Sequence, residues 1–264
     1  MHTIRAEYPD TWDDATVYTL ADLHIGDPHA MLGLIGERLK TIEEDPRGLV
    51  VLNGDLMNTA LKTSVSDVYV EVMTPMQQIN YLVELLKPIK HKIIGCTCGN
   101  HEKRIYRNDG IDTMRLVCRE LGIEDRYDPD GVLIFLRFGQ KKTHKGEDNK
   151  QTFSLYVTHG SGGGRKEGAK AIRLADMATI VDADIYIHGH VHLPMVMVQS
   201  FYRGNIGNCS TTKVDRLFVN TGATLGYGGY GQAQEFKPAS TANPIIKLKA
   251  KNKQMRAIIG CEKE

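Results

Sequence analysis

The run GLVVLNGDLMN, residues 48–58, is apolar through Leu52 and then turns at once to Asn53, Gly54, Asp55 and Asn58. A short apolar run that ends in turn residues reads as a buried strand, with its polar residues set at the carboxyl end. Two other stretches repeat this form. ATVYTLA (15–21) leads into ADLHIGD, and KIIGCTCG (92–99) leads into CGNHEKR. Helical patterns separate them: AMLGLIGERLKTIEE (30–44), a long one over about 67–86 in which Pro75 should kink or divide the helix, and IDTMRLVCREL (111–121). Strand–helix alternation of this kind predicts an α/β layered fold.

Beyond residue 130 the pattern changes. GVLIFLRFG (131–139) and TFSLYVTHG (152–160) read as strands on either side of the charged QKKTHKGEDNK (140–150), which suits an exposed hairpin tip or a mobile loop. A helix over about 170–181 is followed by DIYIHGHVHLPMV (184–196), a strand running into a loop with histidines at alternate positions. The remainder is strand-like with glycine-rich connections. No internal repeat or linker interrupts the chain. The expectation is one domain over 1–264, α/β, with two sheets packed face to face and helices outside.

Composition narrows the class without naming a partner. The 264 residues are 41% hydrophobic and 25% charged, as in ordinary globular proteins, and 33 basic side chains nearly balance 32 acidic ones. A nucleic-acid surface would therefore have to be local. No run of 18 apolar residues suggests a membrane span, and the polar N-terminus lacks the apolar core of a secretion signal. Five cysteines, an odd number without a disulfide framework, fit a reduced, cytoplasmic protein. Cys96 and Cys98 read as strand-core residues, not metal ligands.

The chemistry lies at the strand ends. The first strand is followed by Asp22 and His24, the second by Asp55, the third by Asn100 and His101. SLYV is followed by His159, and DIYI by His188, His190 and His192. Ligands of open α/β sheets gather at the carboxyl ends of strands, so five such ends can meet in one crevice. Two carboxylates, an amide oxygen and several imidazoles suit manganese, iron, zinc or nickel better than calcium or magnesium alone. They are too many for one tetrahedral zinc, but two metals sharing a carboxylate would use them all.

The ordered series D-x-H, G-D, G-N-H-E, H and G-H-x-H, from Asp22 to His192, resembles the calcineurin-like metallophosphoesterase superfamily. That resemblance implies a four-layer α-β-β-α metallophosphoesterase fold, with a motif core over 16–193 and C-terminal strands (194–264) completing the second sheet. It implies that Asp22, His24 and His192 hold one divalent metal, that Asn100, His159 and His190 hold another, and that Asp55 bridges them, with manganese the first choice. His101 would protonate or stabilise the leaving group. A metal-bridging water or hydroxide would attack in line, with no covalent enzyme intermediate. His188 is left without a metal role, as a histidine that supports the ligands from behind or packs in the strand.

The substrate is less sharply written. Protein Ser/Thr phosphatases of the superfamily continue the second block as G-D-x-V-D-R-G, whereas this chain has GDLMNTAL. Lipid A precursor pyrophosphatases carry G-N-R-D where His101 stands. The reading is a phosphodiesterase or nuclease acting on DNA, RNA or nucleotides, with a phosphomonoesterase as the alternative and an inactive scaffold as the alternative of another class. Arg104, Arg165, Tyr227 and Tyr230 are candidate substrate contacts. The glycine-rich HGSGGGRKEGAK (159–170) fails the P-loop pattern G-x-x-x-x-G-K-[ST]. Glu102 is expected to support His101 or a backbone amide, and Asn53 and Asn58 to serve the loop or the substrate. Alternate lysines at 247–253 suggest protection of a sheet edge. The oligomeric state is not written in the sequence.

Overall fold

The computed structural model describes residues 1–64, 68–141, 150–162 and 164–260, without the side chain of Tyr230. In chain order the elements are β1 (His2–Glu7), β2 (Asp14–Leu20), α1 (Leu32–Glu44), β3 (Gly48–Asn53), α2 (Pro75–Leu86), β4 (Ile93–Thr97), α3 (Glu102–Asp109) and α4 (Thr113–Leu121). These are followed by β5 (Val132–Gln140), β6 (Lys150–Thr158), α5 (Glu167–Asp176), β7 (Ile185–His188), β8 (Met195–Asn205), β9 (Ser210–Asn220), α6 (Gly229–Ala233), β10 (Ile245–Lys249) and β11 (Gln254–Ile258).

All six residues of β3 are buried because both of its faces are covered. Side chains alternate across a strand, so Leu49 and Val51 point one way and Val50 and Leu52 the other. The first pair meets Ile134, Leu136, Phe153, Leu155, Ile187 and Val219 of the opposing sheet. The second pair packs with Ile35 and Leu39 of α1, Leu82 of α2 and Val117 of α4. On the far side, Tyr156, Tyr186 and Phe218 are covered by Leu174 of α5 and by Met177. The result is the four-layer α-β-β-α arrangement.

One sheet has the order β11-β10-β2-β3-β4 and the other β1-β5-β6-β7-β9-β8. Both are mixed. Strands β2, β3 and β4 run parallel to each other, as do β6, β7 and β9. Each sheet therefore presents three carboxyl ends, and these face one another across the sandwich at one edge.

Several expectations change in detail. The C-terminal strands do not complete one sheet: β8 and β9 join the six-stranded sheet, β10 and β11 the five-stranded one. Of the two expectations for Pro75, the structure bears out division: a short 3-10 turn at Val68–Val70 is separate from α2, which Pro75 opens behind Thr74, whose hydroxyl and Gln77 form a capping box. A proline fits the first turn, where its missing N–H would have no partner. Lys247 and Lys249 lie on β10, which is flanked on both sides, so they guard no edge; their side chains occupy its exposed face. The polar N-terminus contributes β1, which pairs with β5 as an added edge. The expected hairpin tip between β5 and β6 lies outside the described residues. Cys96 and Cys98 are buried core residues, as expected. No helix of the described residues is long and apolar enough to cross a membrane.

Buried Lys92 closes the end of α1. Its ammonium donates to the carbonyls of Ile42 at 2.7 Å, Glu43 at 2.9 Å and Asp45 at 2.5 Å, supplying the donors that a helix C-terminus lacks. Lys92→Met leaves these carbonyls without that charged donor and is expected to cost about 3 kcal/mol in urea unfolding. A loss under about 1 kcal/mol would show that water replaces the lysine freely.

Candidate metal centre

The loops after β2, β3, β4, β6 and β7 converge where the two sets of parallel strands end. Asp22, His24 and His192 form one cluster whose ligand atoms all lie within 4.8 Å of one another, and Asp55, His159 and His190 form a second. His24, Asp55 and His101 meet the same criterion, so the two clusters adjoin through Asp55 and His24. His192 Nε2 lies 3.1 Å from Asp22 Oδ1, and His159 Nε2 lies 3.2 Å from Asp55 Oδ2. The structure thus brings together the aspartates and histidines that the strand-end rule selected, with Asn100 beside them.

Backbone conformation sets this geometry. Asp22, His24, Asp55, His190 and His192 all adopt left-handed φ, between 49° and 67°. Such φ costs a non-glycine residue about 1–2 kcal/mol and clusters where function over-determines the chain. Gly99 and Gly54 allow the loops to touch. A Cβ on Gly99 would lie 2.0 Å from Asp55 Oδ1, and one on Gly54 2.5 Å from the Gly99 amide. The glycines of the G-D and G-N blocks are therefore contact points between β3 and β4.

Hydrogen bonds fix which ring nitrogens face inward. His159 Nδ1 donates to the Asn53 carbonyl at 2.7 Å, leaving Nε2 towards Asp55. His190 Nε2 donates to the Gly162 carbonyl at 3.1 Å, leaving Nδ1 free to ligate. A carbonyl accepts only, so each assignment follows from its partner. His101 Nδ1 donates to Asn58 O at 3.1 Å, and its Nε2 accepts from Arg104 Nη2 at 3.0 Å.

The donor set fits cations. Asn100 Oδ1 is buried without a hydrogen bond, and Asp22 Oδ1 and His159 Nε2 make poorly aligned contacts with His192 Nε2 and Asp55 Oδ2 at 3.1 and 3.2 Å. His24 and His192 point Nε2 atoms at each other across 3.2 Å. Burial alone would raise the Asp55 carboxyl, yet the His159 and His101 imidazoles hold it well below the usual carboxylate range. Burial alone would lower His159, yet Asp55 and Asp22 lift it to about 10. His159 can therefore be protonated where a metal would take the proton's place. Burial and the neighbouring His101 and His192 push His24 well below its ordinary value.

Glu102 supports the centre from below. Fully buried, it accepts backbone N–H bonds from Asp55 at 3.0 Å, Met57 at 2.9 Å and Gly99 at 2.9 Å, tying the β3 and β4 loops together. It serves backbone amides, as the sequence suggested. Glu102→Ala orphans all three donors and is expected to cost about 3 kcal/mol or more, with weakened metal binding. Urea unfolding and metal titration would check this; unchanged stability would exclude the role. Asn53 and Asn58 act within the loops: Asn53 Oδ1 accepts from Thr97 Oγ1 at 2.9 Å, and Asn58 Nδ2 donates to Glu71.

Of the candidate substrate contacts, Arg104 reaches the centre. Arg165 instead donates to Gln234 O at 3.1 Å and lies over the Phe236 ring. Tyr227 is half-exposed on the loop after β9, and the side chain of Tyr230 lies outside the described residues. His188 is buried and donates Nδ1–H to Asn220 Oδ1 at 2.8 Å, the packed role assigned to it.

The end of β9 went unread in the sequence. The Thr221 hydroxyl lies 3.4 Å from Asp22 Oδ2, and the Thr224 amide donates to Asp22 O at 3.0 Å. The strand ends VNTG, polar residues at a carboxyl end, so the rule that found the other five loops applies here too.

A family model described as calcineurin-like phosphoesterase matches residues 23–194. No curated protein matches the chain in sequence. Similar solved structures include a predicted phosphoesterase from Streptococcus pneumoniae, at 15% identity over 94% of this chain and 98% of that one, TM-score 0.37. Wild-type Vps29 from Entamoeba histolytica complexed with zinc is 13% identical over 94% of this chain and 97% of that one, TM-score 0.41. A metallophosphoesterase from Sphaerobacter thermophilus is 12% identical over 93% of this chain and 88% of that one, TM-score 0.43. All three scores are low, and the family assignment does not rest on them.

Proposed function

Because this chain belongs to the calcineurin-like phosphoesterase family and is a metal-dependent phosphoester hydrolase, we propose that it cleaves phosphodiesters in DNA, RNA or nucleotides. Asp22, His24 and His192 would hold one divalent cation, Asn100, His159 and His190 would hold a second, and Asp55 would be placed to serve both. The mixed oxygen and nitrogen donors favour manganese. When bound, such a pair supplies Lewis acidity and an activated water for in-line attack at phosphorus.

The side chains have distinct tasks. His101, anchored through Nδ1 on the Asn58 carbonyl, turns Nε2 to the leaving oxygen. That nitrogen accepts from Arg104 here, so it must first take up a proton from water and can then pass it to the leaving group. Arg104 is held beside that nitrogen and offers its guanidinium to the phosphoryl oxygens. Glu102 keeps the Asp55 and Gly99 loops in register. The free cysteines Cys96, Cys98, Cys118 and Cys209 suit a reducing, cytoplasmic setting, with the chain working as one domain.

The observation that carries the diester reading is the placement of the two candidate arginines: Arg104 reaches His101, while Arg165 is engaged by Phe236 and Gln234. A diester brings one negative charge to the site and a monoester about two at neutral pH, so Arg104 without Arg165 suits the former. The test is a panel with manganese: bis-p-nitrophenyl phosphate, p-nitrophenyl phosphate, cyclic nucleotides, and single- and double-stranded DNA and RNA. Higher kcat/KM on diesters supports the proposal. A preference for the monoester would replace it with the phosphomonoesterase reading.

A further inference from the structure

The longest strands among the described residues run away from the metal centre. Strands β8 and β9 are eleven residues each, paired in unbroken antiparallel register from Met195–Asn220 to Asn205–Ser210. The adjacent strand β7 pairs with β9 only over Leu217–Asn220. From Arg216 towards the tip, the ribbon therefore has no third strand, and it overhangs β7 by roughly 20 Å at 3.3 Å per residue. Two-stranded ribbons are marginal alone and gain stability from a third strand. Tethers reach its base and middle: Arg216 and Arg203 both bind Asp182.

Its open edge, β8, has only Arg203 of the usual protections. The strand MVMVQSFYRGN contains no proline, lysine or acidic residue, and no bulge interrupts it. Edge strands are commonly short, charged, bulged or proline-bearing, because an open edge templates further pairing. The other edges here, β1, β4 and β11, are only six, five and five residues long. Along β8, Val198 is 59% exposed, Phe201 39% and Tyr202 77%.

We propose that β8 is a dimerisation edge, pairing antiparallel with β8 of a second copy of this chain about a two-fold axis through Ser200. An antiparallel strand pair is self-complementary, as an isologous interface requires. This register sets Val198 opposite Tyr202 of the partner subunit, so the most exposed apolar residues of the strand cover one another on one face. Gln199 then opposes Phe201 of the partner subunit. Arg203, the one charge on the strand, opposes Met197 of the partner subunit and never meets its own copy.

With Phe201 39% and Tyr202 77% exposed, the four rings have roughly 450 Å² left to cover at about 200 Å² per ring. With two valines and two strand edges the interface stays below the ~1,200 Å² of standard stable ones, so pairing is a concentration-dependent equilibrium. The joined sheet would have twelve strands, twice the six observed. Because β8 starts beside the metal centre and runs away from it, the two centres would sit beyond opposite ends of a strand pair roughly 33 Å long. Hydrolysis in each copy is therefore independent of pairing.

The full chain is expected to sediment at twice its 29.4 kDa mass. The double variant V198K/Y202K sets lysines against each other and is expected to sediment as a monomer with unchanged hydrolysis of bis-p-nitrophenyl phosphate; that retained rate shows the fold is intact. Ser200→Cys, in a Cys209→Ser background, is expected to form an intermolecular disulfide on mild oxidation, because the two sulfurs meet on the axis. Val198→Cys in the same background is expected not to. A wild-type chain that stays monomeric at its highest soluble concentration, a dimer that survives V198K/Y202K, or a Ser200→Cys chain that does not cross-link would overturn the proposal.

Discussion

Asp55→Ala is expected to reduce metal-dependent hydrolysis by about a thousandfold or more and to leave the chain unable to hold a metal pair. Asp55 Oδ2 stands 3.2 Å from His159 Nε2 and 3.8 Å from His101 Nε2, while its Oδ1 accepts the His101 amide at 2.8 Å. One carboxylate thus adjoins both clusters and His101. Bound cations stabilise a phosphoryl transition state by several kcal/mol, and each 1.36 kcal/mol is tenfold in rate. Metal content by mass spectrometry and rates on a nitrophenyl diester would be read together. Manganese at a hundred times its dissociation constant should also stabilise the wild type by about 2.7 kcal/mol, an increment that Asp55→Ala should lose. Two cations per chain and a near-normal rate in the variant would remove Asp55 from its bridging role.

His101→Ala should behave differently: a fall in kcat of about 10²–10⁴ with both cations retained. His101 lies close enough to Asp55 and His24 to complete a third donor triad, so metal content is the deciding readout. Loss of metal with a preserved rate would make it a ligand and not a proton donor. The metal-free protein offers a second check. Burial, with help from Arg104 and His192 and against Asp55, pushes His101 from 6.5 down to about 4. A base whose folded value is depressed binds fewer protons folded than unfolded. Its contribution is therefore present above pH 6.5 and is lost as pH falls towards about 4. Unfolding of the metal-free wild type should steepen across that window, and His101→Ala should flatten the curve.

Much of the site was legible because its residues follow strands whose burial is itself legible. Apolar runs such as residues 48–52 announce strands, and Asp22, His24, Asp55, Asn100, His159, His190 and His192 stand just beyond such runs. His188 was separable from its neighbours because the motif had no place for it, and the structure puts it on Asn220. Thr221 and Thr224 were missed although VNTG follows the same strand-end rule, since hydroxyls carry a weaker chemical signal than carboxylates or imidazoles. Pro75 left a kink and a division both open, because a proline in an apolar pattern marks a bend or a start equally well. Thr74 and Gln77, which decide for a start, act through a capping box three residues wide.

The sequence by itself determined the layered α/β class, the order of the strands that matter and the chemical types of the donors, since period-two burial and strand-end polarity are local properties. Only the tertiary structure decided which sheet each C-terminal strand joins, because pairing partners far apart in the chain are chosen by packing and not by local pattern. It alone showed left-handed backbone at five donor positions, where contacts across two sheets outweigh the preference of each residue for another conformation. The long-range bonds of Glu102 and the overhang of β8 beyond β7 are of the same kind. Each depends on where one loop or strand stops relative to another, a distance in space that residue spacing does not encode.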